Sequence, residues 1–239
     1  MKLSFSSIAS ILSLLAFCAC CKKETVDGPL SPPTTYKGTP VRFDSLAVGQ
    51  VSLYIGLTGE KYNSNIDDLF SYSDDTLEIA IVAKDAQGFL VAESLRYTGD
   101  VSQWLEYYKD SVIYYYLNVT DDTLKFKKQG SGFLYSKIFN YQLVTQGLPL
   151  ATFSNQGLAI IGWKADLPYC ECRKTGFVEN YSLLDATYPY LNVLVENSAM
   201  SLDGNGETYV YAPETGLVRA STYSWWTSDG YGWDLLTVE

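Results

Sequence analysis

The 239-residue sequence contains no histidine. Without histidine the chain cannot form a Ser-His-Asp or Cys-His nucleophilic site, or a histidine-ligated metal site. General acid–base chemistry would fall to carboxylates, lysine or tyrosine. The residues therefore favour a non-enzymatic role, and we expect neither a metal site nor a cofactor.

Positive charge is also scarce. The chain has 17 basic against 27 acidic residues, a formal net charge of −10. Nucleic acids and anionic membrane surfaces are bound through basic patches. The charge balance therefore predicts that nucleic acid is not a partner.

Only one apolar run is long enough to suggest contact with a membrane, and it covers Leu3–Phe17 after the single charge of Lys2. A membrane-spanning helix needs about 20 apolar residues, so this run is too short to serve as one. Its length and its position are typical of the apolar region of a signal peptide. We predict that residues 1–19 are a signal peptide.

Three of the five cysteines follow this run directly, as Cys18, Cys20 and Cys21. The stretch resembles the lipobox of bacterial lipoproteins, in which cleavage after a small residue leaves an acylated cysteine at the N-terminus. Because Ala19 precedes Cys20, the resemblance implies that Cys20 carries the lipid. Acyl chains anchor durably, since each buried methylene contributes about 0.8 kcal/mol. An ordinary secretory signal followed by spare thiols is the alternative.

Residues 20–40 hold four prolines and little that is apolar, which indicates an extended tether. Signal, lipobox and proline-rich tether together resemble small lipoproteins of the Bacteroidetes type. That resemblance implies a cell-envelope location, anchored by lipid to the outer membrane on its periplasmic face or at the cell surface.

Residues 41–239 are predicted to form a single all-β domain, because the 20 tyrosines and many β-branched residues favour strands. Val51, Leu53, Ile55 and Leu57 alternate with more polar residues, as in a half-buried strand. We expect an antiparallel meander curled into a barrel or half-barrel, which protects sheet edges. One short helix over Asp100–Asp110 is also possible by its pattern.

Short sequence patterns predict one hairpin, one further strand and a recurring glycine turn. A hairpin is predicted from Thr76–Lys84 and Phe89–Tyr97 around a turn at residues 85–88. Phe133–Phe139 is predicted as a further strand. Glycines before apolar residues recur at similar spacing, which a four-bladed propeller would also show. A meander of hairpins explains the recurrence more simply.

The remaining cysteines, Cys170 and Cys172, are separated by one residue. Alternate residues of a strand lie about 6.5–7 Å apart, at the limit for a disulfide. A bend after Pro168 would allow the bond. Buried thiols are the alternative, and two thiols without histidine do not complete a zinc or iron site.

Acidic pairs such as Asp74-Asp75 and Asp121-Asp122 have two interpretations. They could serve as calcium ligands or glycosidase carboxylates, but none matches a calcium-loop spacing. Aspartates before Thr-Leu more often cap turns. The segment 203–207, Asp-Gly-Asn-Gly-Glu, comes nearest to a calcium loop and still lacks the ligand spacing.

Aromatic residues cluster near the C-terminus, and four of them are candidates for stacking against a ligand: Trp225, Trp226, Tyr231 and Trp233. They can form a platform for sugar rings, or they can be core residues of a closing hairpin. Tyr114, Tyr115 and Tyr116 form a second cluster, whose alternate members face opposite sides of a strand.

The run of hairpins resembles lipocalin-like and lipoprotein-carrier barrels, a likeness that implies an interior able to hold apolar ligands. We therefore expect a lipid-anchored envelope protein that binds an apolar or amphiphilic ligand in a cavity lined by Val51, Leu53 and Ile55. Alternatives are a glycan-binding lipoprotein, a carboxylate-based glycoside hydrolase, and a structural or protein-interaction component of the envelope.

Overall fold

The computed structural model describes residues 46–59, 70–96, 112–121, 123–130, 136–139, 144, 146–149, 160–161, 164–165, 173–197, 205–212, 215–224 and 230–239. All of them belong to one compact unit, Thr34–Glu239. The strands in this part of the chain are β1 (Val51–Gly59), β2 (Phe70–Asp85), β3 (Gly88–Arg96), β4 (Val112–Thr120), β5 (Thr123–Lys128), β6 (Leu148–Pro149), β7 (Ile160–Ile161), β8 (Lys164–Ala165), β9 (Arg173–Leu183), β10 (Ala186–Asn197), β11 (Asn205–Ala212), β12 (Gly216–Ser224) and β13 (Gly230–Val238).

Eleven of these strands form one antiparallel sheet in the order β6-β5-β4-β3-β2-β1-β13-β12-β11-β10-β9, and β7 pairs with β8 separately. Each strand lies beside its neighbour in sequence, except that the first strand pairs with the last. Val51 and Glu239 exchange backbone hydrogen bonds of 2.9 and 2.8 Å where these two strands meet. The predicted all-β meander is confirmed.

The sheet is curled into a half-barrel, as one side chain demonstrates. Phe139 lies 6.2 Å from the ring of Tyr115 on β4 and 6.5 Å from the ring of Tyr209 on β11. These strands are six steps apart in the sheet, which in a flat sheet would separate them by roughly 29 Å at about 4.8 Å per step. Only a strongly curved sheet brings both onto one ring.

The β2–β3 hairpin forms where the sequence predicts it, with its turn at Ala86 and Gln87. The Asp85 carboxylate accepts a 2.7 Å hydrogen bond from the Gln87 amide. Gly88 has φ +121°, and a Cβ there would lie 2.2 Å from the Leu117 carbonyl oxygen. Glycine is therefore required both by the backbone and by the neighbouring strand.

The predicted buried face of β1 is wrong for Val51, Leu53 and Ile55 and right for Leu57, which is buried. Val51, Leu53 and Ile55 are only partly buried, whereas Tyr54 is buried opposite Leu77 and Leu235. Register shifts in the pairing of β1 with both neighbours break the simple alternation. The tyrosine takes the inner position because its ring is apolar and its hydroxyl donates to the Leu217 carbonyl at 2.9 Å.

The predicted strand over Phe133–Phe139 is also wrong in its described part, since Ser136–Phe139 forms a bend outside the sheet. The predicted helix over Asp100–Asp110 lies outside the described residues. Within the described part of the chain, no helix combines the length and apolar character needed to cross a membrane.

Candidate functional site

A small cavity lies between the C-terminal strands and the bend at Ser136–Phe139. Its volume is about 80 Å³. We call it the β11–β13 cavity. Its lining residues are Ser136, Lys137, Ile138, Phe139, Glu207, Tyr209, Ala220, Ser221, Thr222, Tyr231, Gly232 and Trp233.

Strand register builds the floor of this cavity. Glu207 lies opposite Thr222, which lies opposite Tyr231, so these three form one row across β11, β12 and β13. Tyr209, Ala220 and Trp233 form the next row in the same way. Directly paired residues share a face, and so do residues two apart on one strand. Both rows therefore face the same side.

The bend that covers the cavity is held by a buried carboxylate on β3. Glu93 accepts hydrogen bonds from the Lys137 amide at 2.5 Å, the Ser136 hydroxyl at 2.7 Å and the Tyr115 hydroxyl at 3.2 Å. Burial raises the pKa of Glu93, while these three donors act in the opposite direction. The Ser136 oxygen also accepts from the Phe139 amide at 3.0 Å, which tightens the bend.

The same bend is also tied to β13. The indole nitrogen of Trp233 donates a 3.0 Å hydrogen bond to the Lys137 carbonyl. Trp233 is 9% exposed, so it acts as a buried wall of the cavity. Because one short segment is anchored to β3 and β13 together, the cover of the cavity is positioned by both sides of the half-barrel.

Aromatic rings dominate the walls. Phe139 and Tyr209 are stacked with an interplanar angle of 25°. Tyr231 lies at the mouth and is 61% exposed, the highest exposure among the large hydrophobic side chains of the described residues. The cavity therefore combines aromatic walls with polar groups and opens beside an exposed ring.

One carboxyl, Glu207, lines the cavity and sets its charge. Burial raises its pKa to about 7, with a hydrogen bond from the Tyr209 hydroxyl opposing the shift and the charge of Glu196 adding to it. Glu196 lies directly opposite Glu207 on β10 and is 3% exposed. Desolvation near its hydroxyl and the charge of Glu207 raise the pKa of Tyr231, although most of that side chain is exposed. Burial lowers the pKa of Lys137, against the influence of Glu93.

The lining offers few groups that could act as acids, bases or metal ligands. Glu207 is the single carboxylate among the lining residues, so the paired acid groups of a glycosidase do not face each other across this cavity. Among the described residues, no three cysteine, aspartate or glutamate side chains come close enough to hold a metal ion.

A second polar cluster, on β12 and β13, is satisfied within itself. Arg219 donates two hydrogen bonds to Asp234, of 2.5 and 2.6 Å, and both side chains are buried. Tyr72 donates to the same carboxylate at 3.0 Å, and Arg219 donates to the Tyr181 hydroxyl at 3.4 Å. This network links β2 and β9 to the adjacent pair β12–β13 and acts as a structural anchor.

Of the predicted site residues, the structure brings Tyr231 and Trp233 together at the cavity. Trp225, Trp226, Cys20, Cys170 and Cys172 lie outside the described residues. Sequence reasoning missed Phe139 and Tyr209 as lining residues and assigned Glu207 to a loop. The alternation of Glu207, Tyr209 and Tyr211 is the signal that would have placed the carboxyl on a strand beside an aromatic ring.

Comparisons of the chain with models of protein families, with curated proteins and with solved structures found no match. The candidate site is therefore interpreted from its own geometry.

Proposed function

We propose that this protein is a binding protein of the cell envelope, held on the outer membrane by an acylated Cys20, that takes a small group of an amphiphilic ligand into the β11–β13 cavity. The observation that carries the proposal is a cavity with aromatic walls and one carboxyl group, open beside an exposed tyrosine. Ligand sites are mostly apolar, with a few polar groups that fix orientation.

The size of the cavity limits what enters it. Its volume of about 80 Å³ is well below the roughly 300–1,000 Å³ of pockets that enclose a drug-sized ligand. A single head group or ring fits, and the remainder of the ligand lies outside, over Tyr231. This differs from a carrier that encloses a whole acyl chain inside the barrel.

Glycan binding is a second candidate, favoured by the exposed ring of Tyr231 directly opposite Thr222. A sugar would stack on the tyrosine and donate to Glu207. Both candidates use the same cavity, and the chemical class of the bound molecule separates them.

Native mass spectrometry of the full chain, released from membranes in a mild detergent, tests the proposal. We expect an additional mass that organic solvent extracts. Tyr231→Ala should reduce its occupancy severalfold. Tyr114→Ala, which removes an exposed tyrosine (43%) on β4, is the matched control. A bare chain that also fails to bind any glycan would overturn ligand binding.

The proposed location has a separate test. Cys20→Ser should move the chain from the membrane fraction to the soluble fraction, because the lipid would no longer be attached. Cys21→Ser should leave it at the membrane. Membrane retention of the Cys20 variant would contradict the anchor.

A further inference from the structure

We propose that the group taken into the β11–β13 cavity is a quaternary or otherwise alkylated ammonium, held by the aromatic walls and the Glu207 carboxylate. This inference rests on the proposed binding function and names its ligand class. Four aromatic residues line the cavity: Phe139, Tyr209, Tyr231 and Trp233. Aromatic rings around a cation, with a carboxylate beside them, form the usual site for alkylated ammonium groups.

Size supports the same class. The cavity of about 80 Å³ is far smaller than the roughly 300–1,000 Å³ of pockets that enclose a whole ligand. A compact, nearly spherical ammonium head suits it better than a sugar ring with its hydroxyls.

The charge on the floor favours a cation. Glu207 lies directly opposite a second glutamate, Glu196, on the neighbouring strand. Two carboxyl groups so placed repel each other, and a cation at one of them relieves that repulsion. Lys137 also lines the cavity and carries a positive charge. That charge interacts with the buried Glu93 on β3.

Binding should depend on pH for the same reason. The titratable groups that face Glu207 are Glu196 on β10, Tyr209 on β11, Tyr231 on β13 and Lys137 on the bend. The pKa of Glu207 lies at about 7 in the free protein. A cation binds the ionised carboxylate, so affinity should rise as pH increases through 7.

The test compares choline with its uncharged isostere, in which carbon replaces the quaternary nitrogen. The full chain is titrated in mild detergent at pH 8, and binding is followed by the NMR resonance of the Trp233 indole. Choline should bind at least about tenfold more tightly than the isostere. Glu207→Gln should remove most of this preference and leave the isostere unaffected. Tyr231→Leu, an exposed position where folding is not at risk, should weaken choline severalfold.

The outcomes separate the two proposals. Equal binding of choline and its isostere would overturn the ammonium assignment and leave the cavity as a ligand site. If the chain carries an extractable mass but shows no preference for choline, the ammonium assignment fails and the proposed ligand site stands. If neither compound binds, no glycan binds and the chain carries no extractable mass, both the assignment and the proposed function fail.

Discussion

The two halves of the sheet differ in how they use their faces. On β2 and β3 buried positions alternate with partly buried or exposed ones, with Leu77, Ile79 and Ile81 inside and Val82 43% exposed. On β10–β12 consecutive residues are buried, such as 191–196 and 208–212. The first half is an ordinary two-faced sheet, whereas the second is buried on both faces. The second half also carries the buried ion pair Arg219–Asp234 and most of the residues that line the candidate cavity.

The energetic effect of a charged group therefore depends on which half of the sheet it occupies. Ion pairs occur in both halves, but Arg96–Glu78 lies at the surface and Arg219–Asp234 is buried. An exposed pair contributes little, while breaking a buried pair leaves an uncompensated charge. The same low polarity raises the pKa of Glu207 and makes its carboxyl sensitive to a bound cation.

The largest expected effect comes from breaking the buried pair. Arg219→Met should lower the free energy of unfolding by about 3–5 kcal/mol, since Asp234 would remain buried without its partner. Arg96→Met, whose side chain is 71% exposed, should cost less than about 1 kcal/mol. Urea unfolding of both variants measures the two values. Similar losses would remove the distinction between the halves.

The next effect concerns pH. The folded pKa of Glu207 is about 7 against an ordinary value of 4.5, so its contribution to stability is greatest below 4.5 and is lost as pH rises to 7. That loss amounts to about 3 kcal/mol. Glu207→Gln should therefore become more stable relative to the unmodified chain as pH rises across this window. The free energy of unfolding of both proteins is measured between pH 4.5 and 7. A constant difference between them across this range would contradict the prediction.

Replacing a valine by threonine in each half should give a smaller difference in stability. Val193→Thr buries a polar group on a strand covered on both faces and should cost about 1–3 kcal/mol. Val82→Thr makes the same change at an exposed position and should stay within about 0.5 kcal/mol. Thermal unfolding of the two variants is sufficient. A tolerated threonine at position 193 would indicate that β10 is less enclosed than the structure shows.

The smallest expected effect concerns the rates at which individual strands open locally. Amide hydrogen exchange of Val193 and Tyr209, within the doubly buried strands, should be at least about tenfold slower than that of Lys127 on β5. Within the described residues β6 pairs with β5 at Thr123 and Leu124 alone, so this edge should open without global unfolding. Uniform protection across the sheet would mean that both halves open as one unit.

Much of the fold was predictable, because strands and turns have local causes. The β2–β3 and β4–β5 hairpins follow from alternation and from turn residues, and Asp121 adopts the positive φ of 52° that its turn requires. The candidate site was predictable only in part. Tyr231 and Trp233 stood out as aromatic residues, but the role of Ser136–Phe139 depends on the distant Glu93, which no local pattern reveals.

The sequence by itself determined an acidic, histidine-free chain, most of the strand-forming segments and the class of fold, an antiparallel meander. Tertiary structure decided which face of β1 is inner, because register shifts against two neighbours place Tyr54 there. It also decided the partner of Arg219 and the environment of Glu207. Pairing across strands and burial depend on how the sheet curls, and curvature is a property of the whole sheet that no single segment encodes.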